Sequence, residues 1–319
     1  MLGFRKTKQG RKRSVHWLGI PLFHYRKRSR SPERRDKEIA DLALQSRLRR
    51  RFARDDSRGV DDSRESAPIV SLTSWGSRIE TVHITLQSLF EQRRKARKIV
   101  LWLDEEEFQE ASLPREIRRA MARGVEVEFV PNTYSYKKLI PALAAYPDDV
   151  IVTVDDDIMY PRDFLEGLEE THARFPEDVC CYRAHRIGFS ADGSVLPYRQ
   201  WQHTVRCDGP QLDILPTGAG GILYPPGCLD PEVTNAERFL ELCPSADDIW
   251  LKAMSLKRST RCIVVEAADR WSDLPPFIEG TQEQCLARTN VKDANDVQMK
   301  RVFDHYALWE KLTASPPAA

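Results

Sequence analysis

Hydrophobic residues along this chain fall into short apolar runs separated by stretches in which they recur every three or four positions. Runs of the first kind read as strands and the second as helices with one buried face. Strands are predicted at Ile69 to Thr73, Lys98 to Leu103 and Val125 to Val130, and at Val150-Ile151-Val152-Thr153-Val154, whose unbroken β-branched character fits a strand covered on both faces. Between them, Ile79, Val82, Leu86, Leu89 and Phe90 form one stripe of a helix near Arg78 to Gln92. A second helix runs from about Pro114 to Arg123 and stops at Gly124, and a third helical stretch covers Ser135 to Tyr146 with Pro141 an obstacle inside it. Four strands separated by helices predict right-handed crossovers and a largely parallel sheet.

After a helix at about Pro161 to Arg174 and a strand at Val179 to Arg183, the alternation breaks. Gly188 to Tyr198, centred on Asp192-Gly193, reads as a hairpin, and Pro216-Thr217-Gly218-Ala219-Gly220-Gly221 and Pro225-Pro226-Gly227 read as loops. Helices return near Asn235 to Leu242 and Ala246 to Lys257, followed by a strand at Cys262 to Glu266 and a terminal helix near Asn295 to Leu312. No internal repeat is present.

Composition changes this picture mainly at the N-terminus. The 319 residues carry a net charge of only +1, so the chain as a whole is not built to bind a polyanion, and no nucleic acid is expected as a partner. Residues 1 to 30, however, hold ten Lys or Arg and no Asp or Glu. Between two basic clusters lies Val15 to Tyr25, mostly apolar and far too short for the roughly twenty residues of a membrane span. This arm is expected to be a largely disordered or membrane-surface extension, with Trp17 and Tyr25 suited to headgroup depth. Residues 31 to 66 read as a polar linker with one helix, whose amphipathic patch is Ile39, Leu42 and Leu44, and the folded domain is expected to begin near Pro68. Seven cysteines without a paired metal-ligand spacing fit reduced thiols and a cytoplasmic protein. Adjacent Cys180 and Cys181 read as small core residues.

The candidate chemistry starts where the fourth strand ends, in Asp155-Asp156-Asp157. The carboxyl ends of strands in open α/β sheets are where ligands bind. Three adjacent carboxylates resist full ionisation unless a divalent cation supplies countercharge, which marks a candidate metal and nucleotide site; a solvated acidic turn is the plain alternative. A second acidic pair, Asp247-Asp248, precedes the apolar run Ile249-Trp250-Leu251, and helix capping by itself explains one of the two.

Taken with Ser71-Leu72-Thr73-Ser74-Trp75 and Arg78, Ser135-Tyr136-Lys137-Lys138-Leu139 and Thr217 to Gly221, these acids give the chain a resemblance to GT-A-type glycosyltransferases, in particular the family-2-like bacterial enzymes of capsule and lipopolysaccharide assembly. The resemblance covers roughly residues 68 to 269. It implies a GT-A-like, Rossmann-type α/β fold, a mixed but mostly parallel sheet flanked by helices, behind a basic N-terminal extension (1–66). The domain itself would span 67–270, with a nucleotide-sugar half (67–160) and an acceptor half (161–270), and 271–319 would be a C-terminal helical extension. Asp155 or Asp156 would face the donor nucleoside, and Asp155 and Asp157 would hold Mn2+ or Mg2+ on the diphosphate. Thr73, Arg78 and one of Lys137 and Lys138 would grip the donor, the other lysine staying solvated. Asp248, slightly favoured over Asp247, would deprotonate the acceptor hydroxyl in a single inverting displacement.

The implied partners are a nucleotide-sugar donor and a glycan or lipid-linked acceptor, with residues 1–30 docking on an anionic membrane at the inner face of the plasma membrane. His185 is a candidate for the acceptor side, whereas His83, His172 and His305 fall in helices and Trp201, Trp250 and Trp271 read first as packing residues. Two other enzyme classes share metal-bound carboxylates, a nucleotidyltransferase and a metal-dependent phosphohydrolase. The first should carry a phosphate loop after the first strand, where Ser74 to Arg78 is weak, and the second should place its acids early in the fold. A sugar- or polyphosphate-binding module acting through the basic arm is the non-enzyme reading.

Overall fold

A computed structural model describes residues 5–9, 12–17, 20–26, 32–266, 276–281 and 294–313. The chain divides into two compact units, Met1–Leu44 and Gln45–Ala319. In the first, β1 (Arg5–Gln9), β2 (Lys12–Trp17) and β3 (Ile20–Arg26) form an antiparallel meander, with Lys8 opposite Arg13 and Arg13 opposite Tyr25. Strand pairing thus stands where the sequence suggests an irregular arm. Helix α1 (Pro32–Arg54) follows and is far longer than a linker helix. Its apolar patch is not the one expected, because Ile39 and Leu42 are exposed. In the second unit the same helix instead buries Gln45, Leu48 and Phe52, a stripe at helical spacing, so that unit begins well before Pro68.

The second unit is built on β4 (Ile69–Thr73), α2 (Val82–Phe90), β5 (Lys98–Asp104), α3 (Arg115–Ala122), β6 (Val125–Val130), α4 (Ile140–Ala145), β7 (Ile151–Thr153) and α5 (Phe164–Arg174). It continues through β8 (Val179–Cys181), β9 (Ala184–Arg186), β10 (Gln202–His203), β11 (Ile214–Pro216), β12 (Ile222–Tyr224), α6 (Ala236–Leu242), α7 (Asp247–Lys257), β13 (Cys262–Val264), α8 (Asn295–His305) and α9 (Trp309–Thr313). Seven strands make the main sheet in the order β13-β8-β12-β7-β4-β5-β6. All neighbours run parallel except β12, which is antiparallel to both β7 and β8. The expected mixed, mostly parallel α/β sheet flanked by helices is therefore present. Its centre is dry: Ile69, Val70 and Leu72 of β4, Ile99 to Leu101 of β5 and Ile151 and Val152 of β7 are essentially inaccessible. Each such side chain stabilises the fold by about 1.5–3 kcal/mol relative to exposure.

Local chemistry explains most boundaries. Gly124 ends α3 at φ +103, a conformation that costs glycine little. Pro141 is no obstacle, because α4 starts at Ile140 and places it in the first turn, where its missing N–H would have no helical partner anyway. Asn235 caps α6 by accepting the Arg238 amide at 3.1 Å. The sequence misses β12, whose three residues follow a glycine-rich stretch that reads as loop. It also runs β8 on to Arg183, whereas the chain leaves the main sheet at Tyr182 and pairs β9 with β10 and β11 in a small separate sheet. Cys180 and Cys181 are buried free thiols, as expected, and Cys285 lies outside the described residues. Trp201 and Trp250 are packed inside, His83 and His172 sit in α2 and α5, and His305 closes α8; Trp271 is not among the described residues. Among the described residues no helix is long and apolar enough to cross a membrane.

Candidate functional site

Behind β7 the three carboxylates part company. Asp156 and Asp157 turn toward the segment after β4 and are buried. Asp156 accepts from Ser74 Oγ at 2.6 Å and Arg78 Nη1 at 2.7 Å, and its carbonyl accepts from Thr85 Oγ1 at 2.9 Å. The second arm of the guanidinium, Arg78 Nη2, lies 3.0 Å from Asp157 Oδ2 and donates to the Thr281 carbonyl at 3.0 Å. Residues 276–281 close this side: Ile158 bridges Phe277, and the Ile278 amide donates to Asp157 O at 2.8 Å. Burial works against the Arg78 charge, but Asp156 and Asp157 outweigh it and raise its pKa. Burial raises the pKa of Asp156 in spite of Arg78 and Ser74.

Asp155 turns the other way and keeps 28% of its side chain exposed. Its Oδ1 is 3.3 Å from Lys138 Nζ, which is also 3.0 Å from Asp247 Oδ2. Asp247 Oδ2 is buried and, although paired in charge with Lys138, makes no aligned hydrogen bond. Asp248 holds the Gly218 amide with both oxygens, at 3.2 and 3.3 Å. Capping does not account for the acidic pair. Ala246 occupies the cap position of α7 and makes no side-chain bond there, while Asp247 and Asp248 reach away from the helix toward Lys138 and Gly218. Gly218 is where these groups converge. A Cβ on it would sit 2.6 Å from Lys138 Nζ and 3.5 Å from both Asp155 Oδ1 and Asp248 Oδ1.

The electrostatics of this cluster are lopsided, with three carboxylates and one ammonium. Burial opposes the Lys138 charge, yet Asp155, Asp247 and Asp248 hold its pKa well above the ordinary value. Burial, followed by the negative charge of Asp247, pushes Asp248 up to about 7 against the pull of Lys138. A carboxyl titrating there is matched to proton transfer near neutrality.

Two sequence expectations need correction. Countercharge for the acidic triplet is supplied inside the protein, by Arg78 for Asp156 and Asp157 and by Lys138 for Asp155, so crowding of charge does not by itself require a divalent cation. Nor is either lysine solvated: Lys137 is as buried as Lys138 and donates to Asn132 Oδ1 at 2.7 Å, its pKa lowered by burial despite Asp104 and Glu107. Thr73 bonds the Trp102 carbonyl at 2.8 Å and touches none of the acids. His185 is buried and neutral, its pKa lowered to about 3 by burial and then by Arg183. Sequence reasoning misses Ser74 and Thr85, whose only signal is their position just past a strand end and inside the next helix.

Carboxylate oxygens such as those of Asp155 and Asp157 suit a hard divalent cation, although the two side chains turn to different sides. Both already face protein cations, and among the described residues no three His, Cys, Asp or Glu side chains form a ready-made cage.

No protein-family model matches the sequence, and no curated protein matches it either. Several solved structures share its general shape. A mannosyltransferase from Pyrobaculum calidifontis in complex with GDP-Man and Mn2+ aligns at 14% identity over 89% of this chain and 74% of its own, with a TM-score of 0.43. CMP:2-keto-3-deoxy-manno-octonic acid synthetase complexed with CTP aligns at 12% identity over 62% of this chain and 88% of its own, with a TM-score of 0.36. A 4-diphosphocytidyl-2C-methyl-D-erythritol synthase aligns at 14% identity over 73% and 98%, with a TM-score of 0.38. At such distances the likeness is one of shape, and no activity is taken from it.

Proposed function

We propose that the chain is a transferase acting on a nucleotide-activated donor, and specifically a glycosyltransferase that moves a sugar to a hydroxyl acceptor. The observation that carries this reading is the meeting of Asp155, from the end of β7, with Asp248, from the start of α7, across Lys138 and the bare backbone of Gly218. Residues 67–160 then form the donor half and 161–270 the acceptor half. In the donor half, Arg78 offers a guanidinium whose buried Nε lacks a hydrogen-bond partner, and Thr73 and Lys137 line the neighbouring strand ends.

Asp248 is the base. As the acceptor oxygen bonds to the anomeric carbon, the bond from that carbon to the diphosphate breaks and the acceptor proton passes to a carboxylate oxygen of Asp248. Lys138 fixes Asp155 and Asp247 on either side, and the Gly218 amide holds Asp248 next to them. Asp155 and Asp157 would hold Mn2+ or Mg2+, which when bound supplies Lewis-acid stabilisation of the departing diphosphate. A carboxyl titrating near 7 suits removal of a proton from a hydroxyl nucleophile, the step this reading requires. The basic segment 1–30 would bring the enzyme to an anionic membrane carrying its acceptor.

The test is a thermal-shift screen of nucleoside diphosphates and nucleotide sugars with and without Mn2+, followed by product analysis. Release of nucleoside diphosphate together with a new glycoside is the expected outcome. Release of pyrophosphate from a nucleoside triphosphate would replace this reading with nucleotidyl transfer.

A further inference from the structure

Near the acidic cluster, Arg183 is held in a built seat. Where β8 ends, Tyr182 and Arg183 carry the chain out of the main sheet toward β9. Arg183 Nη1 donates to Thr217 Oγ1 at 2.8 Å, and the Thr217 amide donates back to the Arg183 carbonyl at 2.9 Å. Gly220 lies flat on the arginine stem, where a Cβ would come within 2.7 Å of Arg183 Cβ. The side chain is thus held in place on the loop that, one residue past Thr217, presents the Gly218 amide to Asp248. It is half-buried, and no carboxylate among the described residues pairs with it. Arg186, at the end of β9, shows the ordinary arrangement, with Asp213 at 2.6 Å.

A ring cluster is built around His185, two residues beyond Arg183 along the chain. His185 lies 4.3 Å from His203 and 5.6 Å from Tyr198, and Tyr198 lies 5.4 Å from His203, centroid to centroid. His185 is occupied, accepting the Thr204 amide at its Nδ1 at 3.2 Å, whereas His203 is exposed and Tyr198 partly so. Burial pushes the pKa of the Tyr198 hydroxyl up to about 12, with the Asp248 charge adding to the rise and Arg183 opposing it. Aromatic faces beside a guanidinium fork suit a sugar ring carrying a planar or tetrahedral anion.

We propose that Arg183, flanked by Tyr198 and His203, binds a carboxylate or phosphate group on the acceptor sugar whose hydroxyl faces Asp248. This rests on the glycosyl-transfer reading and names its acceptor class.

The experiment titrates the full-length wild type, Arg183→Gln and Arg183→Lys with methyl glucuronide, glucose 6-phosphate and neutral methyl glucoside, by calorimetry. UDP and GDP binding with Mn2+ is measured on the same proteins. One anionic sugar should bind the wild type at least about tenfold tighter than methyl glucoside, and Arg183→Gln should erase that preference while binding the nucleotide as before. Arg183→Lys, which keeps the charge but loses the fork, should retain part of it. The carboxylate and phosphate arms identify the anion. Equal binding of all three sugars by the wild type, or a preference that survives Arg183→Gln, overturns the proposal. So does a fall in nucleotide affinity in Arg183→Gln, which would move the residue to the donor. Absence of any nucleotide response in the wild type overturns the transferase reading, and the sugar titrations still decide the anion seat by themselves.

Discussion

The carboxylates behind β7 and at the head of α7 sort into two neighbourhoods that differ in how well their charge is met. Asp156 and Asp157 share a two-armed guanidinium, with Ser74 and Thr85 adding hydrogen bonds and residues 276–281 closing over them. Asp155, Asp247 and Asp248 share one ammonium, and two of the three keep exposed surface. The first arrangement is what a fold does to hold acids still. The second leaves three carboxylates to one ammonium, with an elevated pKa on a partly exposed acid, the condition our reading needs for moving a proton. The consecutive acids therefore lie in two different surroundings, Asp155 facing Lys138 and Asp156 and Asp157 facing Arg78.

Substitution at Asp248 should break this contrast most sharply. Asp248→Asn should lower turnover by about 10²–10⁴-fold with the fold intact by circular dichroism, whereas Asp156→Asn, also a buried acid, should change melting temperature more than rate. Removing the lysine comes next. Lys138→Met strands Asp155 and Asp247 without countercharge and should cost about 3–5 kcal/mol in denaturant unfolding. Arg78→Ala should cost less, about 2–3 kcal/mol, because Ser74 still bonds Asp156, and Mn2+ should raise the melting temperature of this variant more than that of the wild type. A smaller effect sharpens the comparison through pH. Below about pH 4 Asp248 is neutral in both folded and unfolded chains. From there to about 7 the unfolded chain ionises it and the folded chain does not, so its contribution to stability falls as pH rises and levels off above about 7. Asp248→Asn escapes that loss, and its melting temperature should gain on the wild type across this window and level off above it. Over the same window wild-type kcat/KM should rise as the base ionises. A flat difference between the two melting curves would mean that Asp248 is an ordinary acid.

Much of this was legible in the chain before any coordinates, for a physical reason. The strands at Ile69, Lys98 and Val125 announce themselves because apolar runs of that length have few ways to be buried, and carboxylates following such a strand must emerge at its end. Asp155 could be singled out on that ground, whereas Asp248, before an apolar helical run, and Lys138, one of two adjacent candidates, stood out through the family resemblance. Their allotment did not. That Lys138 answers to three acids while Lys137 turns to Asn132 depends on the tight turn at Tyr134–Lys138, where neighbouring side chains diverge without any periodicity to reveal it. Arg78 as countercharge was equally hidden, since its partners lie about eighty positions away in sequence and an arginine after a strand looks the same whether it grips a phosphate or a neighbouring acid. The short strand β12 escaped because three residues after four small ones carry too little pattern to read.

That strand has a consequence of its own. Because β12 runs against its neighbours, with Ile222 beside Thr153, it is entered from the very rim where β7 finishes. A strand in the common direction would have brought its preceding turn to the far side of the sheet, a strand's length from Asp155. One reversal of chain direction thereby delivers Gly218, and with it Thr217 and the arginine seated on it, to the side of Asp155 and Lys138.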